Sequence, residues 1–187
     1  NTKLAAATVL NDHPINRMMR KIDAMCHKFI ALHLPSAGHL RLLSSVIRVN
    51  IELERVGDYA VTICRESLQL SAPPSGHMAS ELDRLGSEAQ LTLGQAIDAF
   101  ERLDAAAART TIRVVSLLDA NMDAIYGELM ANSEQQAIKD LLAVFVIFTQ
   151  LKRVVDQAKN LCEETVFATT GDTKAPKVYN IIFVDEE

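Results

Sequence analysis

The chain has 187 residues, of which 49% are apolar but only 5% aromatic, with no Trp, so a core must be built from Leu, Ile, Val, Ala and Met, as in helical bundles, and no aromatic stacking platform is on offer. A net charge of -5 and a pI of about 5.6 exclude a general nucleic-acid binder, which needs surplus Lys and Arg to displace counterions. The longest apolar run, Leu141 to Phe148, is far short of the roughly 20 residues of a membrane span, and three cysteines in helix-like segments point to a reducing compartment, hence the cytoplasm, rather than to a disulfide framework.

The first apolar-periodic segment runs from Leu4 to Leu32, and Pro14 must either kink it or start a helix near Asn11 or Asp12. Arg17, Arg20 and Lys21 make a short basic cluster, read as a solvated helix face. The next segment carries a helical stripe at Leu43, Val46, Asn50, Leu53, Gly57, Ala60, Cys64 and Ser67. Ser71 to His77, a Pro and Gly cluster that no helix crosses, divides the chain into a unit over 1–72, a linker over 73–77 and a unit over 78–171. The second unit opens with a helix from Met78 to Leu103, capped by Ser80 and closed near Asp104. A segment from Ala105 to Met130 follows.

Its last helix, Gln136 to Thr169, places Leu141, Val144, Phe148, Leu151, Val155, Ala158, Cys162 and Thr165 on one face in an unbroken 3,4 alternation and would be roughly 50 Å long. The first unit has no counterpart to the Met78–Leu103 helix, so a first helix of about 25 residues is expected to be missing upstream of Asn1, leaving a groove that another chain covers. Gly171 is placed as a helix C-cap. Residues 172–187 form a linker, with Pro176, and a β-like run from Val178 to Val184 that is either the first strand of a following domain or a tail.

The long helices of the two units are copies. Ile51 to Glu66 returns 98 residues later as Thr149 to Glu164, and identical residues include Leu53/Leu151, Arg55/Arg153, Val56/Val154, Asp58/Asp156, Ala60/Ala158, Cys64/Cys162 and Glu66/Glu164. An amphipathic helix would repeat its apolar spacing, but it has little reason to repeat Arg-Val-x-Asp at the same phase. The motif is therefore the candidate carrier of function. Glu54 and Asp58 are four apart on one helix, as are Asp119 and Asp123, an arrangement that destabilises an isolated helix by about 0.2 to 0.5 kcal/mol unless a cation relieves it.

Counting back from the turns sets Asp12 and Asn16 near the level of Glu54 and Asp58, and Asp119 and Asp123 near Asp156. Such oxygen donors suit magnesium, manganese, calcium or iron-type cations; the plainer alternative is solvated charge or pairing with a nearby Arg. Arg55 and Arg153 form intramolecular ion pairs or face a partner, and Cys64 and Cys162 read as small buried apolar groups. There is no Glu-x-x-His spacing, P-loop, Gly-x-Gly-x-x-Gly or Gly-x-Ser-x-Gly, so no catalytic constellation is found.

The segment Asn50-Ile-Glu-Leu-Glu-Arg-Val-Gly-Asp-Tyr-Ala60, repeated about a hundred residues later in an all-helical chain, resembles the PhoU family of phosphate-uptake regulators. The likeness extends to Ala96 to Asp104, to Asp119 and Asp123, and to the ending from Glu163 to Gly171. It implies an all-α fold of two similar three-helix bundles side by side, with metal clusters on the Glu/Asp-x-x-x-Asp pairs. It also implies a non-enzymatic cytoplasmic adaptor that links a phosphate ABC transporter to a sensor histidine kinase and represses phosphate-starvation genes; a homodimer is expected separately, because self-association would cover the groove left by the absent first helix. Lys152 stands where the family motif has Glu, and Val155 where it has Gly. A Lys152/Asp156 pair at i,i+4 would neutralise itself, so the second metal site is expected to be the poorer. Val178 to Asp185 weakly resembles the opening strand of low-molecular-weight phosphatases and arsenate reductases. The alternative role is accordingly the regulatory domain of such a fused enzyme, or of a phosphate transporter.

Overall fold

The computed structural model describes residues 2–10, 12–117 and 138–172. Six helical stretches follow in chain order: α1 (Thr2–Leu10), α2 (Asp12–His33), α3 (Ala37–Gln69), α4 (Gly76–Glu101), α5 (helical over 105–117, as far as it is described) and α6 (Ile138–Thr170). The fold is all-α, and no strand occurs among the described residues. The β-like run from Val178 to Val184 lies outside them.

Turn chemistry sets the helix ends. Pro14 sits in the first turn of α2, where its missing N–H costs nothing because the early N–H groups of a helix lack intrahelical acceptors. Leu34, at φ 42, and Pro35 then stop α2. α4 starts two residues before the expected Met78, with Ser75 in the N-cap position. Ser80 is not its cap: its hydroxyl donates to the His77 carbonyl one turn back, at 2.8 Å, inside the helix. Leu103 at φ 53 turns the chain into α5, and the Asp104 carboxylate caps that helix by accepting from the N–H groups of Ala106 and Ala107 at 2.9 and 3.0 Å. Gly171, at φ 77, ends α6 and donates to the Phe167 carbonyl at 2.9 Å.

α6 lies between α3 and α4 and packs on both. Val144, Phe148 and Val155 meet Met78, Leu85 and Ala89 of α4 and Val115 of α5. Ala158, Leu161, Cys162 and Val166 pack with Ala96 and Ala99 of α4, Ala108 and Ile112 of α5, and Val49 of α3, so one core spans both copies. α3 differs from its expected stripe. Its buried residues are Ser45, Val49, Asn50 and Val61, and Leu53 stays 36% exposed, because the described residues supply no counterpart of α4 to cover that side.

The two motif helices run antiparallel. Side chains meet across them at Ser71/Asp140, Tyr59/Arg153, Glu52/Asn160 and Arg48/Glu164. In this register Gly57 faces the level of Val155, which is also its own counterpart 98 residues on. The duplicated helices therefore cross at equivalent positions, related by an approximate two-fold.

Candidate functional site

The carboxylate pair Glu54 and Asp58 occupies successive turns of α3, the first half-buried and the second exposed. The Asn50 side-chain amide donates to the Met19 carbonyl at 2.8 Å, and Ile15 approaches to 3.5 Å from where a Gly57 Cβ would stand. Carrying this antiparallel register one turn further sets the start of α2, at Asp12, within a turn of Asp58. Asp156 is half-buried on α6, while Asp119 and Asp123 lie outside the described residues. Among the described residues no three His, Cys, Asp or Glu side chains are gathered as a ready-made metal cage.

The donor set nevertheless fits a hard cation in kind. Two carboxylates one turn apart on a solvent-facing flank offer oxygen ligands, and water can complete the six to eight that such ions take. Glu54, Lys152 and Asp156 are each already engaged by neighbouring groups, so a cation must compete for them.

The repeated arginines take different partners. Arg55 pairs with Glu52 on its own helix at 3.0 Å, whereas the Arg153 guanidinium lies 5.7 Å over the Tyr59 ring of α3 and so joins the two copies. Cys64 and Cys162 are both free thiols, half-buried and buried respectively. Burial pushes the Cys162 thiol up to about 12, which removes it as a nucleophile at neutral pH.

Sequence reasoning missed a cleft between α3 and α6, where Ile51 joins the charged and amide side chains of Arg48, Glu52, Arg55, Asn160, Glu163 and Glu164. Arg48 bridges to Glu164 at 3.0 Å and lies 5.6 Å over Phe167, and Asn160 donates to Glu52 at 3.4 Å. Glu163 is held above the usual carboxylate range chiefly by burial, with Lys159 opposing and Glu164 reinforcing the shift. The duplication could not show this cleft, because the counterpart of Arg48 is Val146. At the other end of the helix pair Val146 and Glu66 stand where Arg48 and Glu164 form their bridge, so that ion pair is not repeated.

A family model described as the PhoU domain matches residues 1–67 and 82–165. A phosphate-specific transport system accessory protein PhoU homolog of Pseudomonas aeruginosa is 32% identical over 165 residues, covering 86% of this chain and 67% of that protein. The phosphate-specific transport system accessory protein PhoU of Escherichia coli is 28% identical over 173 residues, or 91% of this chain and 72% of its own length. Among solved structures, PhoU from P. aeruginosa superposes with a TM-score of 0.87 at 30% identity, covering 92% of this chain and 84% of that one. The phosphate transport system regulatory protein PhoU from Streptococcus pneumoniae does so at 0.83 and 25%, covering 92% and 82%.

Proposed function

Since the chain belongs to the PhoU family, we propose that it regulates phosphate transport and phosphate-starvation signalling through protein contacts, as a helical adaptor between a phosphate ABC transporter and a sensor histidine kinase, without catalysing a reaction itself. The observation that carries this reading is the Arg-Val-x-Asp motif, duplicated 98 residues apart and brought together where α3 and α6 cross. Core demands alone leave the repeated charged residues unexplained. Relatives named as accessory proteins of phosphate-specific transport support the process, and no helix among the described residues is long and apolar enough to cross a membrane, which suits a cytoplasmic adaptor.

In the same reading the molecule self-associates as a homodimer and carries metal at its motif carboxylates. Glu54 and Asp58, with Asp12, would hold the first cation, and Asp156, with Asp119 and Asp123, the second. A bound cation would supply fixed positive charge on the bundle flank, and the carboxylates would orient it for a partner.

A strain lacking its own regulator and carrying a phosphate-starvation reporter provides the test. Expression of this chain should restore repression at high phosphate, and the purified chain should capture the transporter ATPase and the kinase. A folded, expressed chain that leaves the reporter fully on and captures neither would sink the proposal.

A further inference from the structure

The cleft between α3 and α6 holds more carboxylate than its own arginines neutralise. Arg55 takes Glu52 and Arg48 takes Glu164 Oε1, each at 3.0 Å, which leaves the half-buried Glu163 with no hydrogen bond or ion pair among the described residues. Lys159, one turn earlier, offsets its charge without bridging to it. The second oxygen of Glu164, Oε2, is shut off from water and accepts from nothing. Buried acceptors normally find a donor, so these two carboxylates present an unmet demand for N–H groups.

Three features narrow the donor. The cleft measures about 240 Å³, below the roughly 300 Å³ at which pockets for small-molecule ligands begin, and suits a single side chain. Its acid groups are not gathered into a cage for a point cation, so the donors must be spread over a wider group. Ile51, 37% exposed, adds an apolar wall for an aliphatic stem. A planar guanidinium with its fork of N–H donors meets all three conditions, whereas an ammonium is a compact point charge. Arg48 is the precedent inside the cleft, its guanidinium paired with Glu164 and lying 5.6 Å over Phe167. Helix pairing alone does not demand this chemistry. The equivalent positions at the other end are Val146 for Arg48, Gln150 for Glu52 and Arg65 for Glu163, so the counterpart of the unpaired acid is a base.

We propose that this cleft is a docking point for a partner protein, which inserts one arginine side chain between α3 and α6. Its guanidinium donates to the Glu163 carboxylate and to Glu164 Oε2, which a turn about the soft last side-chain torsion brings into the cleft, while the half-exposed Arg48 follows Oε1. Glu52 stays with Arg55. The proposal rests on the adaptor reading for the partner being a protein; the demand for donors stands on the cleft alone. Glu163 sits among Arg48, Glu52 and Arg55 of α3 and Lys159 and Glu164 of its own helix. Burial favours its protonated form, so pairing releases a proton, and the arginine binds more tightly as pH rises through the raised carboxyl range.

The probes are N-acetyl-arginine amide and its lysine counterpart, titrated into the full 187-residue chain labelled with nitrogen-15 and followed by NMR. The arginine compound should give saturable shifts at the Asn160 side-chain amide and at the Glu163 and Glu164 backbone amides, and the lysine compound should bind at least about threefold more weakly. Glu163→Gln keeps the shape and removes the unpaired charge. It should weaken arginine binding at least about fivefold at pH 8 and remove most of the difference between pH 5 and pH 8. No saturable shift at these amides overturns the proposal, as does an equal response to the lysine compound or binding unchanged in Glu163→Gln. Magnesium chloride that produces the same shifts and displaces the arginine compound would make this a point-cation site and overturn it too. In the reporter strain Glu163→Gln should raise expression at high phosphate; repression kept in full by that variant would leave the cleft to free guanidinium compounds and overturn the partner. A wild-type chain that binds the arginine compound yet fails to repress would count against the adaptor reading while supporting the guanidinium site.

Discussion

At the scale of single residues, charge separates the two copies of the motif. Glu54 and Asp58 repeat as Lys152 and Asp156, so the second copy puts an ammonium where the first has a carboxylate. A positive charge within about 4 Å of a bound cation costs on the order of 4 kcal/mol at an effective dielectric near 20. Lys152→Glu should therefore raise metal uptake by about one site's worth in metal analysis and calorimetry, while lowering the stability of the metal-free helix by about 0.2 to 0.5 kcal/mol. Equal metal in both copies of the wild type, or no gain in the variant, would make Lys152 a bystander. Glu163 gives a second expectation at this scale. Because burial raises its folded-state value, the protonated carboxyl favours the fold, and that stabilisation is complete below the ordinary glutamate range and lost as pH rises through the raised value. Glu163→Gln, fixed in the neutral form, should raise the melting temperature at pH 7 and leave it nearly unchanged near pH 4. An equal effect at both pH values would assign it to packing instead.

Helices α3 and α6 show how much of an element its sequence reveals. The 3,4 stripe of α6 was legible because helices cover it on more than one side, so its apolar positions had to be continuous; Val144, Phe148, Val155, Ala158, Cys162 and Thr165 are all buried. The looser stripe of α3 was misleading for the opposite reason. Val46 and Cys64 are only half-buried and Leu53 is 36% exposed, while Ser45 is buried and Val49 joins the shared core. Gly57 belongs to this scale as well. An added Cβ would meet Ile15 at 3.5 Å, an ordinary contact, and its counterpart is already Val155. Gly57→Ala should thus stabilise the protein by about 0.5 to 1 kcal/mol through helix propensity alone. A loss of stability in urea denaturation would show that α2 sits closer to α3 than this spacing allows.

For the whole molecule the decisive contact is α3 against α6. Val49 of the first copy lies in the same cluster as Leu161 and Val166 of the second, and Arg48/Glu164 and Tyr59/Arg153 tie the copies at their edges. A shared core favours one cooperative transition over two. Calorimetry should give a single peak whose van't Hoff and calorimetric enthalpies agree; two peaks, traced by proteolysis to 1–72 and 78–171, would show independent units. The amino-acid sequence by itself determined the helical class, the duplication and the motif, because periodicity and repetition are local properties that a single chain records directly. It also placed the Glu54/Asp58 pair, since one helical turn fixes that distance. Only the tertiary structure decided that the copies cross antiparallel near Gly57 and Val155, and that Arg48 reaches Glu164 while its counterpart Val146 has no charge to offer. Those facts depend on which helix faces which, a relation between distant residues that no spacing within one helix contains.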